Sequence, residues 1–165
     1  MRALECPEAH SVPNRAGFGL RGRGEILKLD ARLAELGHRY ADRETGQHEA
    51  LVRARACADS LHARIADALE NFHGAAGTKA PQLRLTLSEP RVDDKHLHSV
   101  QFELLRGRCR AIVTVKSRGE ITLVGPFHAG KPEGPCRTFP MDTVDALDDA
   151  LEPFLVAFIE EALTP

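Results

Sequence analysis

Apolar side chains recur every three or four residues from residue 25 onward, a spacing that places them on one side of an α-helix. Two runs carry this repeat, and a polar stretch separates them. The first run is Ile26, Leu29, Leu33, Leu36 and Tyr40, and the second is Leu51, Ala54, Ala58, Leu61, Ile65, Leu69 and Phe72. We therefore predict a helical segment over residues 25–74, which ends near Gly74.

The polar stretch ADRETGQHE between the two runs contains Gly46 and leaves two arrangements open. Two helices joined by a turn form an antiparallel hairpin. A single continuous helix is also consistent, since the apolar spacing keeps its register across the gap. Such a helix needs a second chain to cover its stripe, as in a coiled-coil dimer. We favour the hairpin, because glycine costs up to about 1 kcal/mol inside a helix.

After Pro81 the period of the apolar positions changes from 3.6 to 2, which indicates β-strands with one buried face. The connections between the strands, at residues 90–95, 106–108 and 117–119, are short and make neighbouring strands antiparallel. We predict a four-stranded meander, and residues 138–140 are a candidate for an added edge strand. The apolar members of the four strands are Leu83, Leu85 and Leu87; Val100, Phe102 and Leu104; Cys109, Ala111, Val113 and Val115; and Ile121, Leu123 and Phe127.

A second helical repeat begins near Asp142, a candidate N-cap, and forms a broad apolar face that ends with Phe158 and Ile159. Pro153 lies inside this repeat and predicts a kinked helix or two abutting helices that cover the sheet. The fold class is therefore α+β. We expect residues 1–24 to form a flexible tail with several glycines and arginines, and residues 81–165 to pack with the N-terminal helices as one domain.

Composition and charge exclude several protein classes. The 165 residues are 42% hydrophobic and 28% charged with a net charge of -2, which excludes a disordered polyelectrolyte and a strongly basic nucleic-acid binder. Charge is nevertheless uneven, because residues 141–165 hold seven acids and no base. The opposite excess is a basic strip formed by Arg106, Arg108, Arg110, Lys116 and Arg118. With no Trp and one Tyr available for base stacking, nucleic-acid binding is a secondary alternative.

Two groups of residues are candidates for chemistry. His96 and His98 are two apart on a strand and point to one face, which suits two ligands of a zinc or iron site. The candidates for a third ligand are His128, Cys136, Asp93 and Asp94. Either His128 or Arg137 is a candidate to hold Cys136 as a thiolate. We favour a structural interpretation of both groups, with no cofactor. A small metal- or thiol-dependent enzyme is the alternative.

The function class that these patterns favour is a non-catalytic protein-interaction or adaptor module, which binds a protein partner or forms a homodimer. The predicted partner-binding residues are Leu29, Leu33, Leu36, Leu51, Leu61 and Ile65. No apolar run has the length of a signal peptide or a membrane span, and the four cysteines include no CxxC pair. We expect a cytoplasmic protein with reduced thiols and no contact with membranes.

Overall fold

A computed structural model of the chain describes residues 21–93, 98–131 and 134–164. We predicted a flexible tail over residues 1–24, and residues 1–20 of it lie outside the described residues. Residues 21–24, however, are helical. The two glycines among them do not delay the helix, because each costs only about 1 kcal/mol relative to alanine.

The N-terminal helix, α1, is a single helix of 56 residues from Arg21 to Ala76. It passes through Gly46, so the preferred hairpin is wrong and the continuous alternative is correct. The cost of one glycine is small beside the helix propensity of the alanine, leucine, arginine and glutamate residues on both sides. The chain divides into two compact units, Met1–Asp42 and Arg43–Pro165, and the second unit contains the sheet and the later part of α1.

One antiparallel sheet of six strands follows α1. Its central strands pair in the order β3-β4-β5-β6, and the short β1 and β2 both pair with β3. The strands are β1 (Thr86–Leu87), β2 (Arg91–Val92), β3 (Ser99–Arg106), β4 (Cys109–Lys116), β5 (Glu120–His128) and β6 (Cys136–Pro140).

The prediction of four strands therefore needs correction at both edges of the sheet. The first predicted strand shrinks to Thr86–Leu87, because Pro81–Leu83 form a 3-10 turn. The expected connection over residues 90–95 contains β2, whose two residues are too few to show an alternating pattern. The candidate edge strand at residues 138–140 is present and extends back to Cys136.

The core lies between one face of the sheet and two helices. Phe102 and Leu104 of β3 and Val113 and Val115 of β4 are fully buried on this face. Helix α1 contributes Ala54, Ala58, Leu61, Ile65 and Leu69, and helix α2 (Val144–Leu163) contributes Leu147, Ala150, Leu151, Phe154 and Phe158.

Helix α2 accommodates Pro153 without dividing into two helices. The proline is exposed, whereas its neighbour Phe154 and the later Phe158 pack into the core. Burial of several large apolar side chains on one face of α2, at roughly 2 kcal/mol each, outweighs the proline's cost of about 3 kcal/mol. The N-cap residue is Thr143 rather than the expected Asp142.

Candidate functional site

The apolar repeat of α1 separates into a buried part and an exposed part. In the later part of the helix, Leu61 and Ile65 are 3% and 0% exposed, and Leu51 packs against the same core. These three predicted partner-binding residues therefore serve the chain's own core. The sheet needs a covering layer on its apolar face, and this length of α1 supplies it.

The earlier part of the same repeat lies on the surface. Leu29 and Leu33 are each 56% exposed and Tyr40 is 62% exposed, while Leu36 is half-buried. At about 100° of rotation per residue, the four side chains fall within a sector of about 60° on one side of the helix. We call these four residues the exposed stripe.

Each member of the basic strip makes a hydrogen bond or ion pair inside the chain. Arg106 donates to the backbone oxygen of Ala162 at 2.6 Å, near the end of α2, and Arg108 donates to that of Ala129 at 3.1 Å. Carbonyls in the last turn of a helix lack intrahelical partners, so the Arg106 contact stabilises the end of α2.

The other three basic residues pair with carboxylates. Arg110 lies 3.6 Å from Glu103, and Lys116 and Arg118 lie 3.3 Å and 2.6 Å from the same Glu120 oxygen. The Arg118 and Lys116 hydrogen bonds lower the pKa of the Glu120 carboxyl below its ordinary value. Acids beside the strip thus offset much of the positive charge with which it would bind the phosphates of a nucleic acid.

The candidate metal and thiol ligands lie at separate places. His98 is exposed next to the first residue of β3, where its backbone oxygen accepts a hydrogen bond from Ser117. His128 lies at the other end of the sheet, opposite Cys109 in the pairing of β4 with β5. The eight residues of β4 span about 23 Å between these two ends.

Cys136 lies on the opposite face of the sheet from His128. It pairs with Val124, which pairs with Ile112 on the face away from the core, whereas His128 pairs with the buried Cys109. His96 lies outside the described residues. Within the described parts of the chain, no group of three or more His, Cys, Asp or Glu side chains is placed to hold a metal ion.

One small cluster was not predicted from the sequence. Cys109 and His128 are cross-strand neighbours, and the His128 Nδ1 lies 3.5 Å from a carboxylate oxygen of Glu161 on α2. Burial, and secondarily the Glu161 charge, raise the pKa of the Cys109 thiol. A raised thiol pKa disfavours the thiolate that nucleophilic catalysis requires. No sequence signal links the three residues, because strand register brings them together.

No known protein-family model, curated protein or solved structure matches the chain. Among residues 21–93, 98–131 and 134–164, no helix combines the length and the apolar character needed to cross a membrane. Within the described residues, the exposed stripe is a row of apolar side chains that the fold of this chain leaves uncovered.

Proposed function

We propose that this protein is a non-catalytic interaction module that self-associates by pairing the exposed stripes of two copies. The observation that carries the proposal is the exposure of Leu29, Leu33 and Tyr40 along one side of α1. Single exposed apolar residues are ordinary on protein surfaces. A row of them at spacings of three and four residues is the pattern that paired helices bury.

A second copy of the chain is the occupant that suits this surface. Two identical helices related by a two-fold axis present the same row of side chains to each other, so a stripe with this spacing covers itself. The later part of the repeat is already buried on the sheet, which limits the pairing surface to the exposed stripe. The cytoplasm, where the thiols stay reduced, is the proposed location.

The non-catalytic part of the proposal is supported by the separation of the candidate reactive residues. His98 and His128 lie at opposite ends of β4, and Cys136 lies on the other face of the sheet from His128. A catalytic group acts within hydrogen-bond distance of its partner, at about 3 Å. These three side chains therefore do not support one reaction.

The energetics favour a weak dimer. Covering the remaining surface of each large stripe residue contributes about 1 kcal/mol, so the side chains of two copies together contribute about 6–8 kcal/mol. Association costs at least about 4 kcal/mol of lost translational and rotational freedom. The balance leaves at most about 2–4 kcal/mol, so we expect a dissociation constant of about 1 mM or weaker, which measurements at high protein concentration can resolve.

Sedimentation equilibrium over a concentration series from about 0.05 to about 2 mM tests the proposal. The weight-average mass of the wild-type chain should rise toward that of a dimer. Leu33→Glu introduces a charge into the stripe and should keep the chain monomeric at every concentration. Ala34→Glu is the matched control, since it adds the same charge at an exposed position on the far side of the helix.

Circular dichroism of both variants should match the wild type, because the two positions lie on the surface and leave the core intact. A wild-type chain that stays monomeric throughout the series overturns self-association. If Leu33→Glu and Ala34→Glu lose association equally, the contact does not lie on the exposed stripe, and this result also contradicts the proposal.

A further inference from the structure

We propose that the free edge of β6 and the neighbouring side of α2 bind an extended segment of a partner protein, which adds to the six-stranded sheet as a further antiparallel strand. The segment carries an aliphatic residue between two basic ones. We call this surface the β6 groove. It uses none of the residues of the exposed stripe and does not depend on self-association.

The edge of the sheet at β1 is covered by side chains of α1. The Leu85 N–H donates a hydrogen bond to Nε2 of His73 at 3.0 Å. Nε2 of His62 lies 3.1 Å from the backbone oxygen of Ser88, just after β1. These contacts occupy backbone groups that would otherwise be open to another strand.

The edge at β6 lacks such a cover within the described residues. The Pro135 oxygen accepts a hydrogen bond from the Gly125 N–H of β5 at 2.8 Å, so the odd-numbered residues of β6 face β5. Alternate residues of an antiparallel strand bond to opposite sides. The backbone groups of Cys136 and Thr138 therefore point away from the sheet, where no described residue hydrogen-bonds them.

The free part of this edge is short. Cys136 and Thr138 are exposed, and each offers one N–H and one C=O group. The free part ends at Pro140, which has no N–H and whose oxygen accepts a hydrogen bond from the Thr143 hydroxyl at 2.9 Å. Two donors and two acceptors suit a segment of about five residues rather than the edge of another large sheet.

Helix α2 runs beside this edge in the direction opposite to β6. It begins next to the last residue of β6, and its Glu161 lies 3.5 Å from His128 at the end of β5, which is antiparallel to β6. A cleft of about 100 Å³ lies between α2 and the first residues of β6. Its apolar lining residues include Leu123, Pro126, Pro135, Ala150, Pro153 and Phe154. The cleft suits one small aliphatic side chain of an added strand.

Carboxylates border the β6 groove on α2. Measured from Phe154 at about 100° per residue, the cleft residue Ala157 lies about 60° to one side, and Asp149 and Glu160 lie about 120–140° to the same side. Both acids are exposed and make no ion pair within the described residues, whereas Asp148 on the far side pairs with α1. The groove therefore favours a basic partner.

Arg137 determines where the basic residues of the partner lie. It pairs with the buried Leu123, so it is on the α2 side of β6. The residue opposite Arg137 in the added strand is therefore aliphatic rather than basic, and it faces the cleft. Residues two positions before and after it lie on the same face, where lysine or arginine approaches the α2 carboxylates.

A second copy of the chain suits this edge less well. Two β6 strands paired around a two-fold axis place both α2 helices on one face of the joined sheet, with the sides that carry Asp149 and Glu160 toward each other. Like charges in this position oppose the contact. Pro140 also has no N–H to contribute to such a pair.

Fluorescence anisotropy with a labelled lysine–threonine–valine–threonine–lysine peptide, blocked at both ends, tests the proposal. The protein is the Leu33→Glu chain, so that self-association through the exposed stripe does not contribute. The wild type should bind equally well. In an antiparallel pair the two threonines lie opposite Cys136 and Thr138, and their backbone groups form the hydrogen bonds.

Methylation of the two threonine backbone nitrogens should weaken binding at least about tenfold, because it removes both donors of the peptide. Methylation of the valine nitrogen, which points away from β6, is the matched control and should leave the dissociation constant unchanged. Equal losses in the two peptides, or no saturable binding of the parent peptide up to about 2 mM, overturn the proposal.

Thr138→Pro removes the outward N–H and should abolish binding. Thr138→Val loses the same hydroxyl contact with Thr122 but keeps the N–H, so it is the matched control and should bind like the parent chain. Proline is tolerated on edge strands where the N–H faces solvent, and circular dichroism checks the fold. If Thr138→Pro does not fold, the methylated peptides decide. Undiminished binding by a folded Thr138→Pro chain contradicts the proposal.

Charge reversal tests the choice of a basic partner. Asp149→Lys should weaken peptide binding about threefold to tenfold at low ionic strength. Asp148→Lys makes the same change on the far side of α2 and should have less than about a twofold effect. Equal effects of the two variants would show general attraction to an acidic helix and overturn the assigned groove.

A second copy at the β6 edge would give a different result. The mass of the Leu33→Glu chain in sedimentation would then rise with concentration, and Thr138→Pro would prevent the rise. That outcome overturns the peptide as the occupant. Absence of a dimer in the wild-type chain is instead the failure of the proposed self-association and leaves peptide binding by the β6 groove intact.

Discussion

The imidazole of His73 accepts a hydrogen bond from the backbone N–H of Leu85, with 3.0 Å between Nε2 and the amide nitrogen. Leu85 is a core residue that is 4% exposed, just before the first strand of the sheet. The bond therefore links the end of α1 to the start of the sheet. It also requires that Nε2 carry no proton, because a nitrogen that accepts a hydrogen bond must offer a lone pair.

We expect His73→Leu to lower the free energy of unfolding by about 1–3 kcal/mol, because it leaves the Leu85 N–H without an acceptor. His73→Gln keeps an acceptor on a flexible side chain and should recover part of the loss. Urea denaturation measures both values, and His48→Ala, at an exposed position of the same helix, is the control. A His73→Leu chain as stable as the control would show that the bond contributes nothing.

Gly46→Ala should raise stability by about 0.5–1 kcal/mol, because alanine has a lower conformational entropy cost in a helix. Nothing lies within 4 Å of the position that its Cβ would occupy, so no clash offsets the gain. Thermal unfolding and helix content by circular dichroism provide the measurements. Loss of helix content on this substitution would contradict a continuous helix through residue 46.

Gly125→Ala should have the opposite effect and destabilise the chain by about 2 kcal/mol or more. Gly125 has a φ of +117°, which side chains disfavour, and a Cβ there would lie 2.9 Å from the Cα of Ala111. The strand backbone of β4 cannot move away cheaply from this contact. Urea denaturation of Gly125→Ala and Gly46→Ala compares their free energies of unfolding. A Gly125→Ala chain as stable as the wild type would contradict the close approach of β5 to Ala111.

The described cysteines should differ widely in alkylation rate. Cys136 is exposed and should react with iodoacetamide at the rate of a small thiol. Cys109 is buried and its pKa is raised by burial, so it should react at least about a hundredfold more slowly at pH 8. Mass spectrometry of digested samples follows each site. Denatured protein, in which these rates converge, is the control, and fast labelling of Cys109 in the folded chain would contradict its burial.

Glu120 should make stability depend on pH in the acid range. Hydrogen bonds from Arg118 and Lys116 lower the pKa of its carboxyl in the folded chain below the ordinary 4.5. The folded state thus favours the ionised form, so the stabilisation is present above pH 4.5 and is lost as the pH falls through the lowered pKa.

Glu120→Gln removes this contribution, so the stability of the variant should fall less steeply than that of the wild type as the pH decreases below about 4.5. Unfolding measured in urea between about pH 3 and pH 7 gives the two curves. The difference should shrink in 1 M salt, which screens exposed charges. Parallel curves over the whole range would contradict the assigned role of Glu120.

The periodicity of apolar residues predicted the long helices and strands, because each of them buries one side. The alternation through Val100, Phe102 and Leu104 locates β3, and the three-and-four spacing through Leu61 and Ile65 locates the packed part of α1. The short strand β2 was missed, since its two residues, Arg91 and Val92, carry no period. Their strand conformation depends on hydrogen bonding to β3.

The sequence did not predict that the α1 repeat divides into a buried part and an exposed part. Leu33 and Ile65 follow the same spacing, yet one is 56% exposed and the other is fully buried. The spacing predicts which side of the helix is apolar, but it does not predict which part of the protein, if any, covers that side. For the same reason the candidate ligands His98, His128 and Cys136 were grouped by residue type, although strand register separates them.

The sequence by itself determined the α+β class, the apolar side of each long element and the uneven charge, because these follow from local spacing and composition. The tertiary structure alone decided that Ile65 is buried on the sheet while Leu33 lies exposed, and that strand register separates His98, His128 and Cys136. Those outcomes depend on contacts between residues far apart in the chain, and such contacts leave no local pattern.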